Sequence, residues 1–169
     1  MKIFNKAIDF FLLIFFIILQ VVFGEQLKLN YLNFDFILVV IVALTFKNGL
    51  IAGMLYGFFA GLVFDILSSN IIGISPLILA LSAFIIGRLL ESGLKIKLVS
   101  YILVVFILTE INIIIISIIY YLFSYNIDFV SLGMDLLLKP IFNILIIFIV
   151  FPLMRVKFSG EELIEYQYK

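Results

Sequence analysis

Apolar residues run along the chain in six long blocks that are separated by short polar segments. The blocks cover residues 8–23, 31–46, 49–67, 71–90, 98–123 and 131–154. A helix needs about 20 apolar residues to cross the ~30 Å hydrocarbon core of a bilayer, and a shorter block can cross where the bilayer thins. The alternation of polar and apolar residues that is typical of membrane β-strands does not occur in runs such as Ile113–Ile116. The pattern therefore predicts an all-α integral membrane protein with a bundle of six transmembrane helices.

The polar segments between the blocks are only a few residues long, which favours antiparallel packing of neighbouring helices. We expect one membrane domain over residues 1–158 and a short cytoplasmic tail over residues 159–169. No connecting segment is long enough to fold as a separate catalytic domain.

Lys and Arg are distributed unequally between the two sides of this predicted bundle. With the N-terminus in the cytoplasm, nine of them lie on the inner side and only Lys28 lies on the outer side. The nine are Lys2, Lys6, Lys47, Arg88, Lys95, Lys97, Arg155, Lys157 and Lys169. Because cytoplasmic loops carry an excess of Lys and Arg, the distribution predicts that both termini are cytoplasmic.

The composition limits the chemistry that such a bundle can perform. Hydrophobic residues make up 66% of the chain, charged residues 13%, and the net charge is zero, which argues against nucleic-acid binding. The chain has no Cys and no His, so thiolate nucleophiles, imidazole bases and the usual zinc ligands are excluded. The segment Gly61–Asp65 does not match the Gly-x-Gly-Asp motif of intramembrane aspartyl proteases. We therefore expect a non-enzymatic protein without catalytic residues, a metal site or a cofactor.

Four glycines and one aspartate follow one another at four-residue spacing in the third block: Gly49, Gly53, Gly57, Gly61 and Asp65. On a helix this spacing forms one smooth ridge that ends in a carboxyl group. In a membrane such a ridge lets another helix approach closely. We expect the ridge either to pack inside the bundle or to dock a partner's helix. Asp65 is expected to be a buried polar anchor that hydrogen-bonds a neighbouring helix end or a partner.

Other ionisable residues fall at different depths of the predicted bundle. Asp9 and Asp35 lie near the ends of their blocks, where we expect water to reach them. Glu110 lies near the middle of the fifth block, where an ionisable side chain costs about 2.5–3.5 kcal/mol. We therefore expect Glu110 to be protonated, paired, or both.

The sixth block carries Asp135, Lys139 and Asn143 at four-residue spacing, which places them on one face of a helix. We expect this polar stripe to face Glu110 inside the bundle and to act as a set of buried polar anchors. Lys139 has two candidate partners, Asp135 in its own helix and Glu110 in the preceding one. The alternative to a structural role is a transport path.

The order of these features resembles the bacterial rod shape-determining MreD family. The resemblance covers most of the chain and starts with Asn33–Asp35 at the entry to the second block. It continues through the glycine series Gly53–Asp65 and Gly73, and it ends with Asn143 and the closing segment Leu153–Lys157. The individual motifs are weak, but their order, spacing and the total length are specific.

The resemblance implies a non-enzymatic scaffold of the elongation (rod) complex in the bacterial inner membrane. Its implied partners are MreC, MreB filaments through MreC, RodA and the penicillin-binding transpeptidase of RodA, in addition to membrane lipid. The implied role is support of lateral peptidoglycan synthesis and control of cell shape. The implied fold is similar to the substrate-binding subunits of energy-coupling-factor transporters. The alternative function is therefore that of a substrate-binding membrane subunit of a vitamin transporter.

Overall fold

The structure is a computed structural model that describes residues 2–28, 34–68, 71–95, 97–123, 128–154 and 156. All regular secondary structure in these residues is α-helical, which confirms the all-α fold of six helices. The helices are α1 (Lys2–Lys28), α2 (Phe36–Asn48), α3 (Leu50–Ser68), α4 (Ile74–Glu91), α5 (Leu98–Leu122) and α6 (Phe129–Leu153). The predicted tail over residues 159–169 lies outside the described part of the chain.

Five of the six helices, all except α2, are long and apolar enough to cross a membrane. Helix α2 has 13 residues, and at 1.5 Å per residue it rises only about 20 Å. The prediction of a span over residues 31–46 is therefore wrong in its extent. Phe34 and Asp35 are not helical, and Asp35 instead caps the first turn of α2. Residues 31–33 lie outside the described residues.

Helix α2 forms the centre of the bundle. It contacts each of the five other helices, and every side chain from Ile37 to Phe46 is buried. A helix that is apolar on all sides is expected to be enclosed by other helices, and this helix has no polar face. The buried Tyr101 of α5 donates from its hydroxyl to the Val39 carbonyl at 2.6 Å, which ties α2 to α5.

Two glycines of the predicted ridge face the backbone of α4. A Cβ atom added at Gly57 would lie 2.8 Å from the Leu79 carbonyl oxygen, and one added at Gly61 would overlap Pro76. Helices α3 and α4 therefore pack at backbone distance, which only glycine permits at these positions. The ridge lies inside the bundle, and α4 occupies the surface on which a partner's helix would dock.

The other two glycines differ from each other. Gly53 faces α2, where an added Cβ would overlap the Thr45 side chain. Gly49 is not part of the ridge, which corrects the prediction from its spacing. It lies in the turn between α2 and α3, with a φ of 83° and no neighbour within 4 Å of an added Cβ. That backbone conformation favours glycine and ends α2.

At the end of the bundle that holds this turn, α1 and α2 are joined by an ion pair. Lys47 Nζ lies 2.6 Å from Asp9 Oδ1, and the Asp9 side chain is only 1% exposed. The expectation that water reaches Asp9 is therefore wrong, because Lys47 and the neighbouring Asn48 donate to its carboxylate instead. At this point α1 lies close enough to α2 to bury the Asp9 carboxylate.

The outward faces of the five long helices carry large apolar side chains. An exposed example from each helix is given by Phe11, Ile51, Leu77, Val99 and Leu137. A water-soluble protein rarely exposes so much contiguous apolar surface, whereas lipid tails solvate it well.

Candidate functional site

The site is built around the start of α2, which lies inside the bundle. Asp35 accepts the N–H of Leu38 on its Oδ1 at 3.0 Å, in the manner of a helix N-cap. The N–H of Asp35 itself donates to Asn143 Oδ1 at 2.8 Å. Asn143 lies near the middle of α6, so the break in the chain before α2 is deep in the bundle.

Gln20 of α1 supports the same break from the other side. Its Oε1 accepts the N–H of Phe36 at 2.8 Å, and its Nε2 donates to the Phe34 carbonyl at 2.8 Å. Because backbone N–H and C=O groups in a bilayer must find protein partners, a helix can start there only with such support. Side chains from α1 and α6 therefore make the short helix possible.

Polar contacts continue from this point into α4 and α5. Asn143 Nδ2 donates to Thr109 Oγ1 at 2.9 Å, and both residues are buried. Ser82 of α4 donates to Asn112 Oδ1 of α5 at 3.3 Å. Buried hydrogen bonds of this kind join neighbouring helices in membranes.

Lys139 pairs with a residue that the sequence prediction did not consider. Its Nζ lies 3.6 Å from Asp35 Oδ2, and both side chains are mostly buried, at 18% and 19% exposure. The hypothesis that the polar stripe faces Glu110 is therefore corrected, since the stripe faces Asp35 and Thr109. Glu110 is half-buried and has no ion pair within the described residues. Asp135 is half-buried on the same helix as Lys139.

Asp65 lies at the C-terminal part of α3 and holds the start of α4. Its Oδ2 accepts the N–H groups of Gly73 at 2.8 Å and Ser75 at 3.2 Å. Gly73 has a φ of 108°, a conformation that favours glycine and lets the chain turn directly into α4. Asp65 is 1% exposed, and its Oδ1 has no hydrogen-bond partner among the described residues.

These elements surround a cavity of about 440 Å³. It lies beyond the N-terminus of α2, in the space that this helix leaves open because it is shorter than its neighbours. All six helices or the residues that cap them contribute to its wall. Its polar side chains include Gln20, Asp35, Asp65, Asn112 and Lys139.

The chemistry available at this site is hydrogen bonding and charge pairing. In the described ranges, no group of three His, Cys, Asp or Glu side chains is placed to hold a metal ion. Carboxylates, amides and one ammonium group converge on a space of ligand size, as is typical of a small-molecule binding site.

Two residues of this site, Gln20 and Thr109, were missed by the sequence prediction. Gln20 is the one amide side chain in the first apolar block, and an isolated polar residue of this kind could have indicated a role in the site. Thr109 gave a weaker signal, because a Thr within a helix often bonds its own backbone, as Thr109 also does to Val105. At the other end of the bundle, the partner of Asp9 was also missed, because Lys47 is distant from it in sequence.

The chain matches a known protein family. The family model of the rod shape-determining protein MreD matches residues 2–157 of the chain. No curated protein and no solved structure matches the chain significantly.

Proposed function

Since the chain belongs to the MreD family of rod shape-determining proteins, we propose that it is a non-enzymatic scaffold that binds MreC. Membership of the family makes the chain a multi-pass membrane protein with a role in rod shape. The finer proposal is that it holds MreC within the elongation complex and so supports lateral peptidoglycan synthesis. The family match over nearly the whole chain is the observation that carries this proposal.

The architecture supports a scaffold that works within the bilayer. The described residues are almost entirely helices and tight turns. The glycine ridge is covered by α2 at Gly53 and by α4 at Gly57 and Gly61, so a partner's transmembrane helix has to dock on one of the outward apolar faces. We place MreC on such a face, with MreB reached through MreC, and RodA and its transpeptidase in the same assembly.

The orientation is part of the proposal. We place both termini and the Lys47 end of the bundle in the cytoplasm, as the Lys and Arg distribution favours. The chain has no Cys, so single-cysteine variants can be labelled without a background. Ser92→Cys and Asp128→Cys put exposed thiols at opposite ends of the bundle. A membrane-impermeant reagent should label Asp128→Cys in intact cells, and it should label Ser92→Cys only after lysis.

Co-purification tests the binding of MreC. The tagged chain, extracted in mild detergent from cells that express it, should retain MreC. Trp replacements at Phe11, Ile51, Leu77, Val99 and Leu137 then probe one outward face each. We expect one of them to reduce retained MreC at least tenfold without lowering the yield of folded protein, and the other four serve as matched controls.

Two results would contradict the proposal. The first is folded wild-type chain that retains no MreC under conditions that preserve other membrane complexes. The second is retention of an energising transporter module instead, which would favour the vitamin-transporter alternative.

A further inference from the structure

The cavity beyond the N-terminus of α2 has a size and a lining that a scaffold does not require. A bundle of equally long helices would fill this space with side chains. Here α2 starts late, Gln20 and Asn143 support the break before it, and about 440 Å³ stays open. That volume lies within the range of small-molecule sites.

Asn112 of α5 carries a buried hydrogen-bond donor on the wall of this cavity. The residue is only 4% exposed, and its Oδ1 accepts from Ser82 at 3.3 Å. Its Nδ2 has no hydrogen-bond partner among the described residues. In those residues Asp65 Oδ1 is the sole fully enclosed side-chain N or O atom without a partner, so Asn112 Nδ2 keeps some open surface. Because the rest of Asn112 is covered, this donor opens onto the cavity that the residue lines.

A cation and an anion lie on the same wall without a hydrogen bond between them. Lys139 Nζ is 3.6 Å from Asp35 Oδ2, longer than the ~2.7–2.9 Å of a charge-assisted hydrogen bond. Asp35 caps α2 with its Oδ1, so its Oδ2 remains as an acceptor, and the Lys139 ammonium has three donors. Both side chains keep nearly a fifth of their surface open, and neither of these two atoms has a hydrogen-bond partner in the described part of the chain.

The pair of Asp35 and Lys139 sets the charge that a ligand in the cavity meets. The negative charge of Asp65 is offset by the N-terminus of α4, whose N–H groups it accepts, and Asp135 has a contact of its own. The opposite charges of Asp35 and Lys139 offset each other at 3.6 Å, so the pair favours neither a net anion nor a net cation. An uncharged group that both donates and accepts hydrogen bonds matches the pair best.

The donors of Asn112 and Lys139 lie at a similar depth in the bundle. The hydrogen bond between Thr109 and Asn143 places these two residues of α5 and α6 at one level. Asn112 follows Thr109 by three residues and Lys139 precedes Asn143 by four, and the two consecutive helices run in opposite directions. At about 1.5 Å per residue, both donors are displaced by about 4.5–6 Å toward the same end of the bundle. A carbonyl group between α5 and α6 at this level lies near both of them.

We propose that the cavity binds a small uncharged molecule with a carboxamide-type group on an apolar body. The carbonyl oxygen of the ligand accepts from Lys139 Nζ and Asn112 Nδ2, and its N–H donates to Asp35 Oδ2. The apolar body lies against Phe36 and Ile116, which belong to the same wall. Buried polar groups in folded proteins are normally hydrogen-bonded, and such a ligand satisfies all three of these at once.

Three probes with one body and different polar ends test this class of ligand on the full chain in detergent. They are 3-phenylpropanamide, the ester methyl 3-phenylpropanoate, which accepts but cannot donate, and the anion 3-phenylpropanoate. Equilibrium dialysis against empty micelles of the same detergent measures the probe that the chain binds. The amide should bind saturably, and the ester and the anion should bind at least tenfold more weakly. Equal or tighter binding of the more apolar ester, equal or tighter binding of the anion, or no saturable binding of the amide would overturn the proposal.

Asp35→Asn tests the role of the charge pair. Its amide oxygen can still cap α2, while an NH₂ group takes the place of Oδ2. The wall then has a donor where it had an acceptor, and the charge of Lys139 is no longer offset. The preference for the amide over the ester should disappear, and the affinity for the anion should rise at least tenfold. An unchanged order of the three affinities in folded Asp35→Asn would overturn the proposal, because a merely structural change weakens all three probes alike.

Asn112→Leu tests the buried donor, because it replaces the amide with an apolar group of similar shape. The affinity for 3-phenylpropanamide should fall at least tenfold. It should not change in Ser117→Ala, which removes a hydroxyl from the same helix outside the cavity wall. Unchanged affinity in folded Asn112→Leu would overturn the proposal. If either polar variant does not fold, Ile116→Trp, which fills the cavity and keeps all three polar groups, has to abolish binding, and retained affinity in that variant would contradict the site.

Discussion

Asn143 and Thr109 are joined by a buried hydrogen bond of 2.9 Å between α6 and α5. The same amide of Asn143 accepts the backbone N–H of Asp35 on its Oδ1. One side chain therefore connects three segments at mid-depth, at the position where α2 begins.

Replacement of Asn143 by Leu should destabilise the bundle. The Asp35 N–H would lose its acceptor, and a buried polar group left unpaired costs about 1–3 kcal/mol. The Thr109 hydroxyl would lose one of its two hydrogen bonds and keep the one to the Val105 carbonyl. Equilibrium unfolding in mixed micelles measures the change. Ser117→Ala is the control, because the Ser117 hydroxyl bonds only a carbonyl of its own helix, and its effect should stay within about 0.5 kcal/mol. Equal effects of the two substitutions would show that Asn143 does not connect the helices.

Replacement of Gly57 by Ala should separate α3 from α4. The new Cβ would lie 2.8 Å from the backbone oxygen of Leu79, which cannot move without its helix. Overpacking of this kind destabilises by about 1–3 kcal/mol. Gly133→Ala is the matched control, because nothing lies within 4 Å of its new Cβ, and the higher helix propensity of Ala should raise stability by up to about 1 kcal/mol. A loss at Gly133 as large as at Gly57 would contradict the packing.

Loss of the Lys47 charge should lower the free energy of unfolding more than loss of a surface cation does. Lys47→Met leaves the buried carboxylate of Asp9 without its charge partner, and breaking a buried pair in this way costs about 3–5 kcal/mol. Arg88→Met breaks a pair with Glu91 in which both side chains are mostly exposed, and such pairs contribute about 0.5 kcal/mol. Equilibrium unfolding in mixed micelles compares the free energies of unfolding of Lys47→Met and Arg88→Met.

A double variant separates charge from packing at this ion pair. Asp9→Leu combined with Lys47→Met removes both charges, so it should recover most of the stability that Lys47→Met loses. A double variant that is as unstable as the single one would show that contacts of the side-chain stems, rather than the unpaired charge, cause the loss.

Removal of the charge of Asp35 should lower the stability of the bundle, whereas removal of the charge of Glu110 should change it little. Asp35→Ala removes the cap of α2 and the partner of Lys139, and loss of the cap alone costs about 0.5–2 kcal/mol. Glu110→Gln should change stability by less than about 0.5 kcal/mol, because Glu110 has no ion pair among the described residues. Comparable losses at both positions would restore the idea that Glu110 partners Lys139.

Most of the fold could be predicted from the sequence because lipid imposes simple rules. Long apolar blocks have to form helices in a bilayer, so the number of helices and the approximate positions of five of them followed from hydropathy alone. The glycine spacing located the contact surface of α3 at Gly57 and Gly61. The glycine spacing gave a wrong prediction at Gly49. Glycine is favoured both by a positive φ and by a place on a packing ridge, and the sequence does not distinguish these two causes.

The site could be predicted only in part because its contacts are distant in sequence. The stripe of Lys139 and Asn143 was visible, but its partner Asp35 is distant in sequence, 108 positions before Asn143. Hydropathy also extended α2 by several residues, since Phe34 and the residues before it suit a helix in lipid. The actual start is set by Asp35 and Gln20, whose contacts exist only in the folded bundle.

Cell shape tests the central claim most directly. In rod-shaped cells whose own copy of this gene has been deleted, expression of the wild-type chain should restore rods, as measured by the ratio of cell length to width. The Trp variant that loses MreC should fold, reach the membrane and leave the cells round. Wild-type chain that is folded in the membrane of cells that remain round would contradict the account.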